Sequence, residues 1–127
     1  MEELRISATK NTPEIILNPE GIILIKGRSI HENVTDFFEP VEDWISAYIT
    51  VPAEITSVDM NLEYFNSASA KVFIHILQKI TYVKLKHKKF IFNWYYEEGD
   101  DDILERGEYF ASVLDVMFNF IKLKQSS

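Results

Sequence analysis

The sequence predicts a single α/β domain built on a mixed β-sheet. Apolar and polar residues alternate from residue 58 to residue 64, which is the period-2 pattern of a strand with one buried face. Apolar residues then recur at helical spacing from residue 70 to residue 80. With 127 residues, of which 46% are hydrophobic and 13% aromatic, the chain has enough apolar surface for one core. We assign the domain to residues 1–123 and expect residues 124–127 to form a frayed tail.

The N-terminal third predicts a hairpin and then a helix. Residues 15–17 and 22–26 read as two strands joined by Asn-Pro-Glu-Gly, where Pro in second place and Gly in fourth suit a type I turn. Residues 4–8 suit a further edge strand. A helix follows, whose apolar stripe is Val34, Phe37, Phe38, Val41, Trp44, Ile45 and Tyr48. Pro40 falls inside this stripe, so it either kinks the helix or opens a second one.

The remaining two thirds predict alternating strands and helices. After the strand at residues 58–64 we expect a helix from Ser67 to about Lys86, then an aromatic-rich strand at residues 89–96. An acidic turn leads into a third helix that an Asp caps, and residues 117–123 form a last extended segment or an edge strand. Strands joined by helices should run parallel, whereas the hairpin adds an antiparallel edge.

Composition excludes several classes of function. The net charge of −7 argues against nucleic acid or an anionic membrane as the main partner. The chain has no Cys, and its three His residues show no metal-binding spacing, so we predict no metal and no cofactor. The start lacks the features of a signal peptide, and the aliphatic run at residues 22–25 is too short to span a bilayer. These features suit a cytoplasmic protein.

The strand-to-helix turn at residues 66–69 is the strongest candidate site. It places the hydroxyls of Ser67 and Ser69 at the start of a helix, where free N–H groups and the helix dipole favour anions. Either Asn66 or Ser67 is an ordinary N-cap, or Ser67 accepts a phosphate there. G-x-S-x-G and the phosphate-binding glycine motifs are absent, so we predict no catalytic residue and no enzymatic activity.

A polar stripe continues from Ser67 along the same helix. Its members follow Ser67 at spacings of four, four, three and four residues, and they are Lys71, His75, Gln78 and Tyr82. The stripe is either a plain solvated face or a docking face, and an aromatic side chain at its end favours docking.

Several blocks of sequence resemble the SiaC family of small bacterial regulatory phosphoproteins. They are Ala-Thr-Lys-Asn-Thr-Pro at residues 8–13, Gly-Arg-Ser at 27–29 with Glu32-Asn33, Phe-Phe-Glu-Pro at 37–40 with Trp44, Leu-Glu-Tyr-Phe-Asn-Ser-Ala-Ser at 62–69, Asn-Trp-Tyr-Tyr-Glu-Glu at 93–98, and Glu105 with Gly107-Glu108 and Phe110. The resemblance covers nearly the whole chain. It implies a STAS-like fold, which is related to that of the anti-anti-sigma factors.

The resemblance also implies a partner-switching adaptor. In this family a dedicated Ser/Thr protein kinase phosphorylates a hydroxyl just after the Asn at the helix start, and a PP2C-type phosphatase removes the phosphate. The unphosphorylated protein binds and activates a diguanylate cyclase, which promotes biofilm formation. The matching acceptor here is Ser67, with Ser69 as the second candidate, because Ser-Ala-Ser stands where family members often have Thr-Ser-Ser.

Partner binding is therefore predicted for one set of residues along this helix, namely Asn66, Ser67, Lys71, His75, Gln78 and Tyr82. The alternative is an anti-anti-sigma type antagonist that binds a kinase-like anti-sigma factor. Proteins of that type usually have Asp before the phosphorylated Ser, and Asn66 departs from this pattern.

Overall fold

The residues that the structure describes form a six-stranded mixed sheet with three α-helices. The computed structural model describes residues 1–124. The elements in chain order are β1 (Leu4–Ile6), β2 (Glu14–Asn18), β3 (Ile22–Ser29), α1 (Val34–Tyr48), β4 (Ile55–Phe65), α2 (Ser67–Ile80), a 3₁₀ helix (Thr81–Lys86), β5 (Lys89–Glu97), α3 (Asp101–Leu114) and β6 (Asn119–Leu123). The strands lie in the sheet in the order of the chain. The first three pair antiparallel, and β3 to β6 pair parallel, which confirms the predicted mixed sheet.

The hairpin turn depends on the glycine in fourth place. The Gly21 N–H donates to the Asn18 carbonyl at 2.9 Å, and Gly21 has a φ of +99°, in the region that favours glycine. A Cβ at Gly21 would lie 2.2 Å from the carbonyl oxygen of Ile55, and the Gly21 carbonyl accepts from the Ser57 N–H at 2.7 Å. The turn therefore packs directly against the start of β4.

Helix α1 runs through Pro40 as one element, so the alternative of a second helix is wrong. Pro40 lies on the exposed side, where the carbonyl of the equally exposed Asp36 can bond to water in place of the missing N–H. The apolar stripe faces the sheet, and its buried members are Val34, Phe38, Val41, Ile45 and Tyr48.

The predicted helix from Ser67 to about Lys86 is helical throughout, but only its first part, α2, is an α-helix. The α-helix stops at Ile80, and residues 81–86 continue as a 3₁₀ helix. The Thr81 hydroxyl donates to the Gln78 carbonyl at 2.6 Å, a side-chain bond of the kind that competes with the helical ladder. His87 then takes a left-handed conformation, with a φ of 61°, and redirects the chain into β5.

The three helices share one face of the sheet, since α1 contacts α2 and α2 contacts α3. Between the two layers lies a core rich in aromatic side chains, including Phe38, Phe65, Phe73, Phe92 and Trp94. Strand β6 pairs with β5 from Asn93↔Asn119 to Glu97↔Leu123, so the edge-strand alternative for residues 117–123 is correct.

The two ends of the described chain lie next to the two edge strands of the sheet. Strand β1 forms the opposite edge of the sheet, as expected, although it ends at Ile6. Lys124 follows β6 without regular structure, and residues 125–127 of the predicted tail lie outside the described residues. Across residues 1–124, no helix has the length and apolar character that crossing a membrane requires.

Candidate functional site

The turn between β4 and α2 is capped by Asn66. Its side-chain oxygen accepts from the Ser69 N–H at 2.8 Å, and its carbonyl accepts from the Ala70 N–H at 3.0 Å. Asn66 has extended backbone angles, as an N-cap residue should. The sequence left the cap open between Asn66 and Ser67, and the structure assigns it to Asn66.

Ser67 is the first residue of α2, and its side chain is exposed. No hydrogen bond within residues 1–124 engages its hydroxyl, because the capping bond is made by Asn66. The N–H groups of the first helical turn lie beside it, and they carry the positive end of the helix dipole. The Ser67 hydroxyl is thus accessible and lies in a place that favours an anion.

Ser69 has the opposite environment, since it is fully buried. Its hydroxyl donates to the Ser29 carbonyl at 2.8 Å, and its oxygen lies 2.8 Å from the Ser29 hydroxyl. Ser29 is the last residue of β3, so this pair joins the start of α2 to the neighbouring strand. Ser69 therefore holds the turn in place, and a kinase would have to open the fold to reach it.

A hollow of about 410 Å³ opens beside Ser67, between the first turn of α2 and one face of α3. Helix α3 begins at an Asp cap, as predicted, with the Asp100 carboxylate accepting from the Ile103 N–H at 3.1 Å. The hollow is lined by Ser67, Ala70, Asp102, Glu105, Arg106, Tyr109 and Phe110. It gives the candidate site a concave wall as well as the convex surface of α2.

Arg106 is the cation of this hollow. Its Nη1 donates to the carbonyl of Phe65 at 2.6 Å, and its guanidinium carbon lies 3.8 Å from the centre of the Phe65 ring. Arg106 is half-buried, whereas the carboxylates of Asp102 and Glu105 are exposed. The site therefore combines one positive charge next to the core with two negative charges in solvent.

The predicted stripe on α2 is exposed, with two departures from the simple pattern. Lys71, His75 and Gln78 are all exposed, but the His75 ring is hydrogen-bonded to the Glu42 carboxylate of α1. Tyr82 keeps 48% of its surface exposed. Because it lies on the 3₁₀ helix, it is turned about 40° further around the axis than an α-helix would place it.

Helix α3 contributes to the site, although the prediction from the sequence did not include it. Four of its polar residues line the hollow at positions 102, 105, 106 and 109, which is the spacing of one helix face. A signal for this was present, because β4 and β5 are parallel neighbours and the helices that follow them begin at the same edge of the sheet. Among residues 1–124, no group of three or more acidic or His side chains is arranged to hold a metal ion.

The fold and the site together define a class of protein, namely a small mixed α/β domain that presents an accessible hydroxyl at the start of a helix. Residues 6–123 match the SiaC family of regulatory phosphoproteins. The chain belongs to the SiaC family. It is also 26% identical over 121 residues to an uncharacterized protein of Pseudomonas aeruginosa strain UCBPP-PA14, with 94% of each chain covered.

Solved structures agree with this assignment. SiaC of Pseudomonas aeruginosa superposes with a TM-score of 0.82 at 25% identity, over 98% of this chain and all of that one. The diguanylate cyclase SiaD in complex with its activator SiaC, also from Pseudomonas aeruginosa, contains a chain that matches with a TM-score of 0.83 at 25% identity, over 96% of this chain and 99% of that one. These matches confirm both the resemblance and the predicted fold class.

Proposed function

We propose that this protein is an adaptor that binds and activates a diguanylate cyclase while Ser67 is unphosphorylated. The observation that carries the proposal is the exposed, unengaged hydroxyl of Ser67 in a chain of the SiaC family. A protein of that family, 25% identical over nearly the whole chain, is the activator of the diguanylate cyclase SiaD. The adaptor has no catalytic activity of its own and acts through its surface in the cytoplasm.

The choice of Ser67 over Ser69 as phosphate acceptor rests on access. A kinase must bring the acceptor oxygen to its own active site, which the exposed side chain of Ser67 permits. Ser69 is 0% exposed and makes two hydrogen bonds to Ser29, so its modification would require local unfolding. The proposed partners for this step are a dedicated Ser/Thr kinase and a PP2C-type phosphatase.

The cyclase is proposed to dock on the surface that surrounds Ser67. That surface combines the exposed side of α2, from Asn66 to Gln78 and on to Tyr82, with the hollow beside α3. A phosphate at Ser67 adds about −1.5 to −2 charges at its centre. The added charge would be desolvated or repelled in the complex, so phosphorylation releases the cyclase without a change of fold.

The experiment measures cyclase binding and activity with defined forms of the protein. Phosphoserine is inserted at position 67 during synthesis, and the protein is mixed with its candidate partner, a diguanylate cyclase from the same organism. We expect the unmodified protein and Ser67→Ala to bind the cyclase and raise its turnover of GTP, and the phosphoserine-67 form to do neither. The matched control carries phosphoserine at position 112, which is exposed on α3.

Two outcomes would contradict the proposal. The first is equal activation by the phosphoserine-67 form and the unmodified form. The second is a Ser67→Ala protein that is still fully phosphorylated by the cognate kinase, as measured by intact mass. Turnover of an ester or nucleotide by the purified protein, lost in Ser67→Ala, would favour an enzyme instead.

A further inference from the structure

We propose that Arg106 is the residue that binds the phosphate on Ser67. The inference rests on the proposed function for the modification and adds the residue that recognises it. Two observations carry it. Arg106 and Ser67 line the same hollow of about 410 Å³, and the Arg106 guanidinium is hydrogen-bonded to the carbonyl of Phe65, two residues before Ser67.

The Arg106 guanidinium lies close to the turn that carries Ser67. Nη1 is 2.6 Å from the Phe65 oxygen, and the Cα atoms of Phe65 and Ser67 are at most about 7.6 Å apart, since consecutive Cα atoms are separated by about 3.8 Å. The hollow leaves open space between the two side chains. A phosphate on Ser67 would therefore lie in or beside the hollow that Arg106 lines.

The guanidinium also has donors to spare. Arginine carries five N–H donors in a fixed plane, and one of them is used on the neutral Phe65 carbonyl. A phosphate offers three charged oxygens and accepts two parallel hydrogen bonds from one guanidinium, which is a stronger arrangement than a bond to a neutral carbonyl. Stacking over the Phe65 ring holds the guanidinium plane in place and leaves its edge available.

The other charges near the hollow do not prevent Arg106 from attracting a phosphate on Ser67. Asp102 and Glu105 line it and repel a phosphate, while Lys71 lies one helical turn after Ser67 and attracts it. Both carboxylates and Lys71 are exposed and screened by solvent, whereas Arg106 is half-buried against an aromatic ring. Its charge therefore acts on the phosphate with less screening than theirs. Binding of the phosphate by Arg106 would fill the hollow and close it to a partner side chain.

The test is a ³¹P NMR titration of the full chain with phosphoserine inserted at position 67. The second pKa of a phosphoserine is ordinarily about 6. We expect this pKa in the folded protein to be lower by about one pH unit than in the same chain unfolded in urea. Arg106→Gln should remove most of the lowering, and the matched control Lys71→Gln should keep most of it.

The outcome is independent of the kinase, because the phosphoserine is inserted directly. A kinase that ignores Ser67 would contradict the proposed function and leave this measurement intact. An Arg106→Gln protein with the same phosphate pKa as the parent would overturn the inference, and so would loss of the whole shift in Lys71→Gln. The role of Arg106 would then be limited to its packing on Phe65.

A second measurement needs no substitution of Arg106, in case Arg106→Gln does not fold. The chain has three arginines, so the Nε–H resonances of Arg5, Arg28 and Arg106 can be followed separately. Phosphorylation at position 67 should shift the Arg106 resonance more than that of Arg28, which lies beside the same turn, and should leave that of Arg5 in place. An unmoved Arg106 resonance would also overturn the inference.

Discussion

At the scale of single residues, Ser67 and Ser69 show how two hydroxyls two positions apart acquire different roles. The first helical residue points into solvent, while the third faces the end of β3. The Ser69 hydroxyl donates to the Ser29 carbonyl, so the Ser29 hydroxyl is left to donate to the Ser69 oxygen. Each buried oxygen of this pair is satisfied, which is what makes the burial of both side chains tolerable.

Replacing Ser69 by Ala should therefore destabilise the protein. The substitution leaves the buried Ser29 hydroxyl without its acceptor, which costs about 1–3 kcal/mol in the free energy of unfolding. Urea unfolding followed by fluorescence measures this change. The control is Ser67→Ala. It removes an exposed hydroxyl and should change the free energy of unfolding by less than about 0.5 kcal/mol. Equal unfolding midpoints for the two variants would contradict the account of Ser69.

Gly107 is a second residue whose role depends on its neighbour. It lies inside α3, where a glycine normally costs about 1 kcal/mol relative to alanine. A Cβ at this position would, however, lie 2.5 Å from Nε1 of Trp94, a buried side chain that donates to the Ile103 carbonyl at 2.9 Å. The glycine lets α3 approach the tryptophan closely.

We expect Gly107→Ala to lower stability, in spite of the better helix propensity of alanine. Overpacking against the rigid indole should cost about 1–3 kcal/mol, more than the propensity gain. Thermal melting measures the net effect. Glu108→Ala, at the exposed neighbouring position, is the control and should change the melting temperature little. A higher melting temperature for Gly107→Ala would show that Trp94 can move aside.

At the scale of elements, the site is made by the starts of two helices. Strands β4 and β5 are parallel neighbours, so the helices that follow them begin at one edge of the sheet. Helix α2 supplies the proposed acceptor hydroxyl and the exposed stripe, and α3 supplies the wall of the hollow with its charges. Neither helix forms the site alone.

The polar stripe on α2 is the predicted docking surface for the cyclase. Lys71→Glu and Tyr82→Ala should each weaken cyclase binding by about tenfold, since the first reverses a charge beside Ser67 and the second removes an exposed aromatic anchor. Both variants should keep the parent melting temperature. Lys26→Glu is the matched control, because Lys26 lies on β3 away from the helices. Unchanged binding in both α2 variants would move the docking surface elsewhere.

At the scale of the whole molecule, the proposed switch works on a fold that stays the same. The Ser67 side chain is exposed and contributes no hydrogen bond among the described residues, so a phosphate there displaces nothing from the core. A negative charge in the first turn of a helix is itself favourable, by about 0.3–1 kcal/mol at an exposed site. The carboxylates of Asp102 and Glu105 repel the phosphate and so oppose this stabilisation.

We therefore expect the phosphoserine-67 protein to keep its circular dichroism spectrum and to melt within a few degrees of the unmodified protein. Cyclase binding should differ between the two forms at the same temperature. The form with phosphoserine at position 112 controls for the added charge. A large drop in melting temperature specific to position 67 would mean that phosphorylation acts by unfolding the start of α2.

The sequence by itself determined the order and type of the elements and the faces they bury. Period-2 alternation in β4 and helical spacing in α1 and α2 are local signals, and a local pattern is sufficient to decide which face of an element is apolar. The predicted helix to about Lys86 changes at Ile80 from an α-helix to a 3₁₀ helix. This change accompanies a side-chain bond from Thr81, a short-range detail that periodicity does not contain.

Only the tertiary structure decided which hydroxyl is accessible and which charge lies beside it. Ser69 is buried by a residue 40 positions away, and Arg106 reaches the Phe65 carbonyl across 41 positions. Both contacts arise from the way β3, β4, α2 and α3 meet at one edge of the sheet. Distances between residues so far apart in the chain are fixed by packing, and no local pattern of residues specifies them.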